Sequence, residues 1–182
     1  MIEPVIFLAG TAGILALSWR SLHVRHAHGR PRLLAFECVL ALVLLQARGW
    51  FVHPLAPHQL VSWILLAVSA WLALEGFRLL NRLGRPEPAR GRPSDLGFER
   101  TSVLVTAGAY RWIRHPLYAS LVFGAWGTFF KRPSWTAGAL AAAATLALAG
   151  TARTEERENR EKFGAAYEEY ARRNWRFIPF VY

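Results

Sequence analysis

Residues 60–80 read LVSWILLAVSAWLALEGFRLL, a stretch whose two charges, Glu75 and Arg78, stand in its last turns. A helix needs about 20 mostly apolar residues to cross the hydrocarbon core of a bilayer. This stretch is long enough and apolar on every face, so it reads as a membrane-spanning helix. Working outward, residues 33–52 form a similar block, with Glu37 near one end and Arg48 near the other. Residues 4–19 form another, without a charge. Downstream, residues 117–130 and 135–152 make a pair joined by Lys131, Arg132, Pro133 and Ser134. The expected fold is therefore all-α, a polytopic integral membrane protein with five transmembrane helices. The fourth segment is short, so it is tilted, re-entrant or extended backwards past His115.

Composition agrees. The chain has 182 residues, 53% hydrophobic and 19% charged, against about 45–50% apolar and about 25% charged in soluble domains. Eight Trp and eleven Phe exclude a disordered chain. A single cysteine, Cys38, excludes a disulfide scaffold. The net charge of +10 would suggest nucleic acid if the chain were soluble. On a membrane protein it points to basic loops and anionic lipid headgroups instead.

Arginine placement gives the expected orientation. The link after the first block holds Arg20, Arg25, Arg30 and Arg32, whereas residues 53–59 hold no Arg or Lys. The next link is basic again, with Arg82, Arg85, Arg90, Arg92, Arg100, Arg111 and Arg114. Only Lys131 and Arg132 separate the last pair, and the tail from Arg153 onward is basic. Positive loops face the cytoplasm, so the N-terminus is expected outside and the tail inside, in an inner or plasma membrane. Met1, Ile2 and Glu3 lack the basic start of a cleavable signal peptide. Residues 1–80 form a three-helix membrane unit, and residues 81–182 form the functional core.

The tail reads as one amphipathic helix over residues 154–174. Phe163, Tyr167 and Tyr170 fall at i, i+4 and i+7, with Ala166 on the same face. Thr154 is placed to cap it, with Glu155 and Glu156 in the first turn. Tyr167 and Tyr170 read as packing. Trp175, Phe177, Ile178, Pro179 and Phe180 then tuck under the spans. His23, His26 and His28 lack the Cys or carboxylate partners of a zinc site, and no metal is expected.

Two segments carry the chemistry. The first runs Gly108-Ala109-Tyr110-Arg111-Trp112-Ile113-Arg114-His115-Pro116-Leu117-Tyr118. It sets a cluster of donors where a polar loop enters the membrane. Pro116 suits the first turn of a helix, because the N–H it lacks has no partner there. The second places Glu155 and Glu156 at a membrane exit on the same side, ahead of Phe163-Gly164-Ala165-Ala166-Tyr167-Glu168-Glu169-Tyr170 and Phe177-Ile178-Pro179-Phe180. Together they can hold a polar, zwitterionic ligand at the interface.

In these residues the chain resembles the isoprenylcysteine carboxyl methyltransferase family, within the wider membrane methyltransferases that include phospholipid methyltransferases. That family carries a Gly-x-Tyr-x-x-x-Arg-His-Pro-x-Tyr block, a helical hairpin, a Glu-Glu pair, a Phe-Gly-x-x-Tyr-x-x-Tyr helix and an Ile-Pro-Phe. All occur here in order between about Thr106 and Val181, with Ser120 standing where the family usually has Gly. The resemblance implies an enzyme that binds S-adenosylmethionine on the cytoplasmic side. It would methylate a lipophilic acceptor from the bilayer, such as an isoprenylcysteine-like carboxylate. By position, Gly108, Tyr110, His115, Pro116, Tyr118, Glu155 and Glu156 would bind the cofactor. A cation is wanted for the acceptor carboxylate, and Arg173 or Arg176 can supply it. The rival readings are a phospholipid or amine N-methyltransferase, an NADPH-dependent membrane reductase, and a non-enzymatic membrane adaptor.

Overall fold

The computed structural model describes residues 2–22, 29–85 and 101–179. The described chain is helical: α1 (Ile2–Leu22), α2 (Gly29–Gln46), α3 (Pro57–Leu83), α4 (Pro116–Phe129), α5 (Trp135–Phe163) and α6 (Ala165–Arg173). Short 3-10 turns at Ala47–Gly49 and Gly108–Arg111 complete it. The loop at His23, His26 and His28, the link 86–100 and Phe180 lie outside the described residues.

Helix α4 packs chiefly on α3, α2 on α5, and α1 on α2. Small residues permit the close approaches, as expected where lipid gives helices no hydrophobic reason to associate. A Cβ on Gly127 of α4 would lie 2.9 Å from Leu66 Cγ of α3. Ser62 Oγ donates to the Gly127 carbonyl (2.7 Å) and Ser69 Oγ to that of Ser120 (2.7 Å). Ala137, Ala141 and Ala144 of α5 are wholly buried in one cluster with Cys38 and Leu42 of α2. The alanine-rich run is thus a contact face.

Outward-facing positions are apolar. Trp135 is 97% exposed, Leu146 73%, Leu8 67% and Ile64 64%. Such surface on many helices at once is unlike a soluble monomer and matches a lipid environment. Among the described residues, α3 and α5 are long and apolar enough to cross a bilayer, and α1 carries a shorter apolar run, Pro4–Ala16. Inside this layer, Thr11 Oγ1 of α1 donates to Glu37 Oε2 of α2 (2.9 Å).

Away from the motif loop, Gln59 ties the bundle together. Its Nε2 donates to the carbonyls of Gly49 (3.0 Å), Val52 (3.1 Å) and Lys131 (3.0 Å), and its Oε1 accepts from Lys131 Nζ (3.1 Å). The same ammonium lies 3.0 Å from the centre of the Trp63 ring. A buried cation is tolerable with such partners.

One expected element divides differently. Residues 154–174 do not form a single helix starting at Thr154. Helix α5, capped by Ser134 Oγ accepting from Ala137 N (3.2 Å), runs without a break to Phe163. Thr154 is no cap: its hydroxyl donates back to the Gly150 carbonyl (3.2 Å), as serine and threonine do inside helices. The break falls at Gly164, whose φ of +57° is a conformation glycine adopts without steric cost. The α5 portion after Ala152 is a charged extension of an apolar helix, and α6 turns off its end.

Candidate active site

The motif loop is shaped by close approach. Gly108 begins the 3-10 turn with φ +57°, and a Cβ there would lie 2.7 Å from both Glu75 Oε1 and Leu79 Cδ1 of α3. Only glycine fits. From there the chain pairs with the segment after α6 through a parallel bridge between Ile113 and Trp175. Arg114 N donates to Trp175 O (2.7 Å), Trp175 N to Trp112 O (3.2 Å) and His115 N to Arg176 O (3.2 Å). Helix α4 then begins with Pro116 in its first turn and His115 as the preceding cap residue, as the sequence predicts. The His115 ring stacks on Tyr118 (5.5 Å, 18°), with Phe177 on another side (6.1 Å).

Glu156 is the electrostatic centre. It is 3% exposed and lies in the charged extension of α5, past the apolar section. Its Oε1 accepts from Arg114 Nε (2.9 Å) and Arg176 Nε (2.9 Å), and its Oε2 from Arg176 Nη2 (2.8 Å). His115 Nε2 stands 3.3 Å from Oε1. Burial alone would raise this carboxyl's pKa. Hydrogen bonds from His115 and Arg176, and the charges of His115 and Arg114, outweigh burial and hold it well below the usual carboxylate range. Arg114 Nη1 also donates to the Ala171 carbonyl (2.8 Å) and to that of Asn174. One carboxylate therefore fastens the motif loop, α5 and the segment after α6 together.

Beside this clamp opens a pocket, partly open to solvent. Tyr110, Arg114, His115, Tyr118 and Glu155 bring polar groups to its wall, and Leu80, Leu104 and Phe163 bring apolar ones. Glu155 Oε1 is 3.9 Å from His115 Nδ1, and its side chain is 26% exposed. Asn159 and Phe163 follow Glu155 at i+4 and i+8 along α5, and all three line the pocket.

The Gly164 corner brings both tyrosines of α6 into the same wall. Tyr170 hydroxyl donates to the Tyr110 carbonyl (2.7 Å). Tyr167 is 2% exposed, and its hydroxyl is enclosed with the Asn159 side chain beside it. Burial, then the charges of Glu156 and Glu155, push the Tyr167 phenol upward, so it stays a neutral donor. Burial and then Tyr167 raise Tyr170 likewise.

Across the loop lies an apolar slot lined by Trp71, Leu72, Ile113, Phe123, Phe177 and Pro179, among others. Trp71 and Trp112 at its margin are 58% and 53% exposed.

The structure thus gathers Tyr110, His115, Tyr118 and Glu155 at one pocket. Gly108, Pro116 and Glu156 do not line it. Ser120 faces α3. The two arginines part company. Arg176 is locked to Glu156, while Arg173 is 75% exposed on α6, 2.7 Å from Glu169. It lines a separate groove with Arg111 and Asn174. Asn159 is a wall residue that the sequence reading did not single out, and Tyr167, which read as packing, is another. The repeat Glu155, Asn159, Phe163 would have revealed Asn159 had α5 been read as continuous.

No curated protein matches the chain. The family model for phospholipid methyltransferases matches residues 57–166, more than half the chain, from the start of α3 into α6 and so across both segments of the pocket. The chain belongs to the phospholipid methyltransferase family.

Proposed function

We propose that this protein is an integral membrane methyltransferase that uses S-adenosylmethionine to methylate a lipophilic acceptor entering from the bilayer. The observation that carries this reading is a two-sided loop. Residues 109–113 give Tyr110 to the polar pocket and Ile113, Ala109 and Trp112 to the apolar slot. A water-soluble donor and a lipid-soluble acceptor are thereby served by opposite sides of one short segment.

The pocket suits the cofactor. Its wall offers a carboxylate for an ammonium group, an imidazole and phenols for a carboxylate or hydroxyls, and leucines and Phe163 for a purine. When bound, S-adenosylmethionine supplies an activated methyl group. In this reading Glu155 binds its amino group, and His115, Tyr110 and Tyr118 orient the rest. The Glu156 clamp fixes the loop, while Phe177 and Ile113 exclude water and align the acceptor.

The acceptor can be a carboxylate, as in an isoprenylcysteine, which is already ionised at neutral pH, or a phospholipid amine. The arginine pairings favour the amine: Arg176 and Arg173 both hold protein carboxylates. An amine must lose its proton before it can take the methyl group. We place the pocket on the cytoplasmic side of five membrane segments, N-terminus outside. Calorimetry in detergent with S-adenosylhomocysteine and with NADPH tests the cofactor, and binding of NADPH alone overturns it. Radiolabelled methyl transfer to phosphatidylethanolamine and to a prenylcysteine analogue tests the acceptor. A base-labile product from the latter alone identifies a methyl ester.

A further inference from the structure

We propose that Arg111 is a specificity-determining residue that holds a phosphate of the acceptor lipid, a group apart from the atom that is methylated. This rests on the methyltransferase reading. Three successive residues of the motif loop line three different spaces. Tyr110 lines the polar pocket, Arg111 the groove beside α6, and Trp112 the apolar slot. The groove shares Leu104 and Tyr170 with the pocket. On its other side the Arg111 guanidinium lies 5.7 Å from the centre of the Trp112 ring. Head, anion and tail of one amphiphile would thus meet consecutive side chains.

Charge picks Arg111 out. The charged side chains lining the groove are Arg111, Glu169 and Arg173. Glu169 answers Arg173 at 2.7 Å, which leaves Arg111 without a carboxylate in the groove. One positive charge remains for one phosphodiester. A guanidinium meets phosphate oxygens through two parallel N–H groups, and the Thr106 hydroxyl lines the same groove as a further donor. Position decides between anions. The one carboxylate of a prenylcysteine is itself the methyl acceptor, so it must lie at the cofactor pocket, which Arg111 does not line. A phospholipid amine keeps a permanent anion several bonds from its nitrogen, and Arg111 stands in the neighbouring space.

The test compares Arg111→Gln and Arg111→Lys with Arg172→Gln, an exposed α6 arginine outside the groove. Radiolabelled methyl transfer in detergent is measured with a short-chain phosphatidylethanolamine and with an amine lipid of the same chains that lacks the phosphate. Calorimetry measures binding of S-adenosylhomocysteine, of the short-chain phosphatidylethanolamine and of inorganic phosphate. Arg111→Gln should raise KM for phosphatidylethanolamine about ten- to hundredfold, the loss of a charge-assisted bond, while kcat and S-adenosylhomocysteine affinity hold. The preference over the phosphate-free amine should shrink by the same factor. Arg111→Lys should recover part of it, as a point charge without the fork. An unchanged KM overturns the proposal, as does an equal rise for the phosphate-free amine or an equal rise in Arg172→Gln. Inorganic phosphate bound as tightly as the lipid makes the groove a free-phosphate site and overturns it too. If the unaltered protein methylates neither lipid, the methyltransferase reading falls, and calorimetry still decides the contact. Lipid binding weakened by Arg111→Gln then supports it, and unchanged binding overturns it.

Discussion

Arg176 meets Glu156 through two parallel hydrogen bonds, Nε to Oε1 at 2.9 Å and Nη2 to Oε2 at 2.8 Å, with both side chains largely enclosed. Sequence reasoning gave this arginine to a substrate carboxylate; in the folded chain it already grips a carboxylate of its own. The pairing changes what Glu156 is for. With Arg114 and His115 on the same oxygen, it holds the loop that gives Tyr110 to the pocket.

Removing that charge should therefore differ from removing its neighbour. Glu156→Gln leaves two guanidinium groups facing an uncharged amide, and breaking a buried pair this way costs about 3–5 kcal/mol. Thermal unfolding in detergent should show a large drop. Glu155→Gln should melt almost like the unaltered protein and weaken S-adenosylhomocysteine about ten- to hundredfold, the loss of one charge-assisted bond. Matching effects in both assays would remove the distinction.

Acid should act through the same carboxyl. Its folded-state pKa lies below the ordinary value, so its stabilising contribution is fully present above the unfolded pKa, about 4.3. The contribution drains away as pH falls from there toward the folded pKa. Melting measured from pH 7 down to pH 3 should decline below about pH 4.5. Glu156→Gln, already destabilised, should show a shallower decline, and parallel curves would count against this origin.

Gly108→Ala should damage both stability and binding. A positive φ costs a residue with a Cβ about 1–2 kcal/mol, and here the added carbon also meets Glu75 and Leu79 at 2.7 Å. Melting temperature and S-adenosylhomocysteine affinity should fall together, because displacing this turn displaces Tyr110. Normal affinity in a folded Gly108→Ala protein would sever the turn from the pocket.

Orientation is open to labelling. With the buried Cys38 replaced by Ala, a cysteine at Leu55, which is 81% exposed, should react with an impermeant reagent in intact cells. One at Arg160, on the charged extension of α5, should react only after permeabilisation. The reverse pattern inverts the proposed topology.

The helices were legible because apolar runs of 14 or more residues leave little else for the chain to do in lipid. The loop was legible too, since glycine, proline and a donor cluster at fixed spacing each carry a mechanical meaning. What escaped was direction around a helix. Glu155 and Glu156 are neighbours in sequence, yet successive α-helical residues point about 100° apart, so one faces the pocket and the other the clamp. Which faces which depends on how far α5 runs without a break. Thr154 resembles a cap in sequence, and nothing local says that its hydroxyl will bond backwards to Gly150. The same misplacement hid Asn159 and made Tyr167 look like packing.

The pairing of residues 113–115 with 175 and 176 also orders events in time. A ribosome makes the motif loop first, then the α4–α5 hairpin, then α6, and the closing segment after all of these. Until Arg176 emerges, Glu156 has Arg114 and His115 but lacks its two-pronged partner, and the loop has no strand-like neighbour. The pocket is therefore finished last, when α3, α4 and α5 are already in place. Closing the clamp becomes a late checkpoint of biosynthesis, and a nascent chain halted shortly before Arg176 should be inserted yet leave the motif loop unfastened.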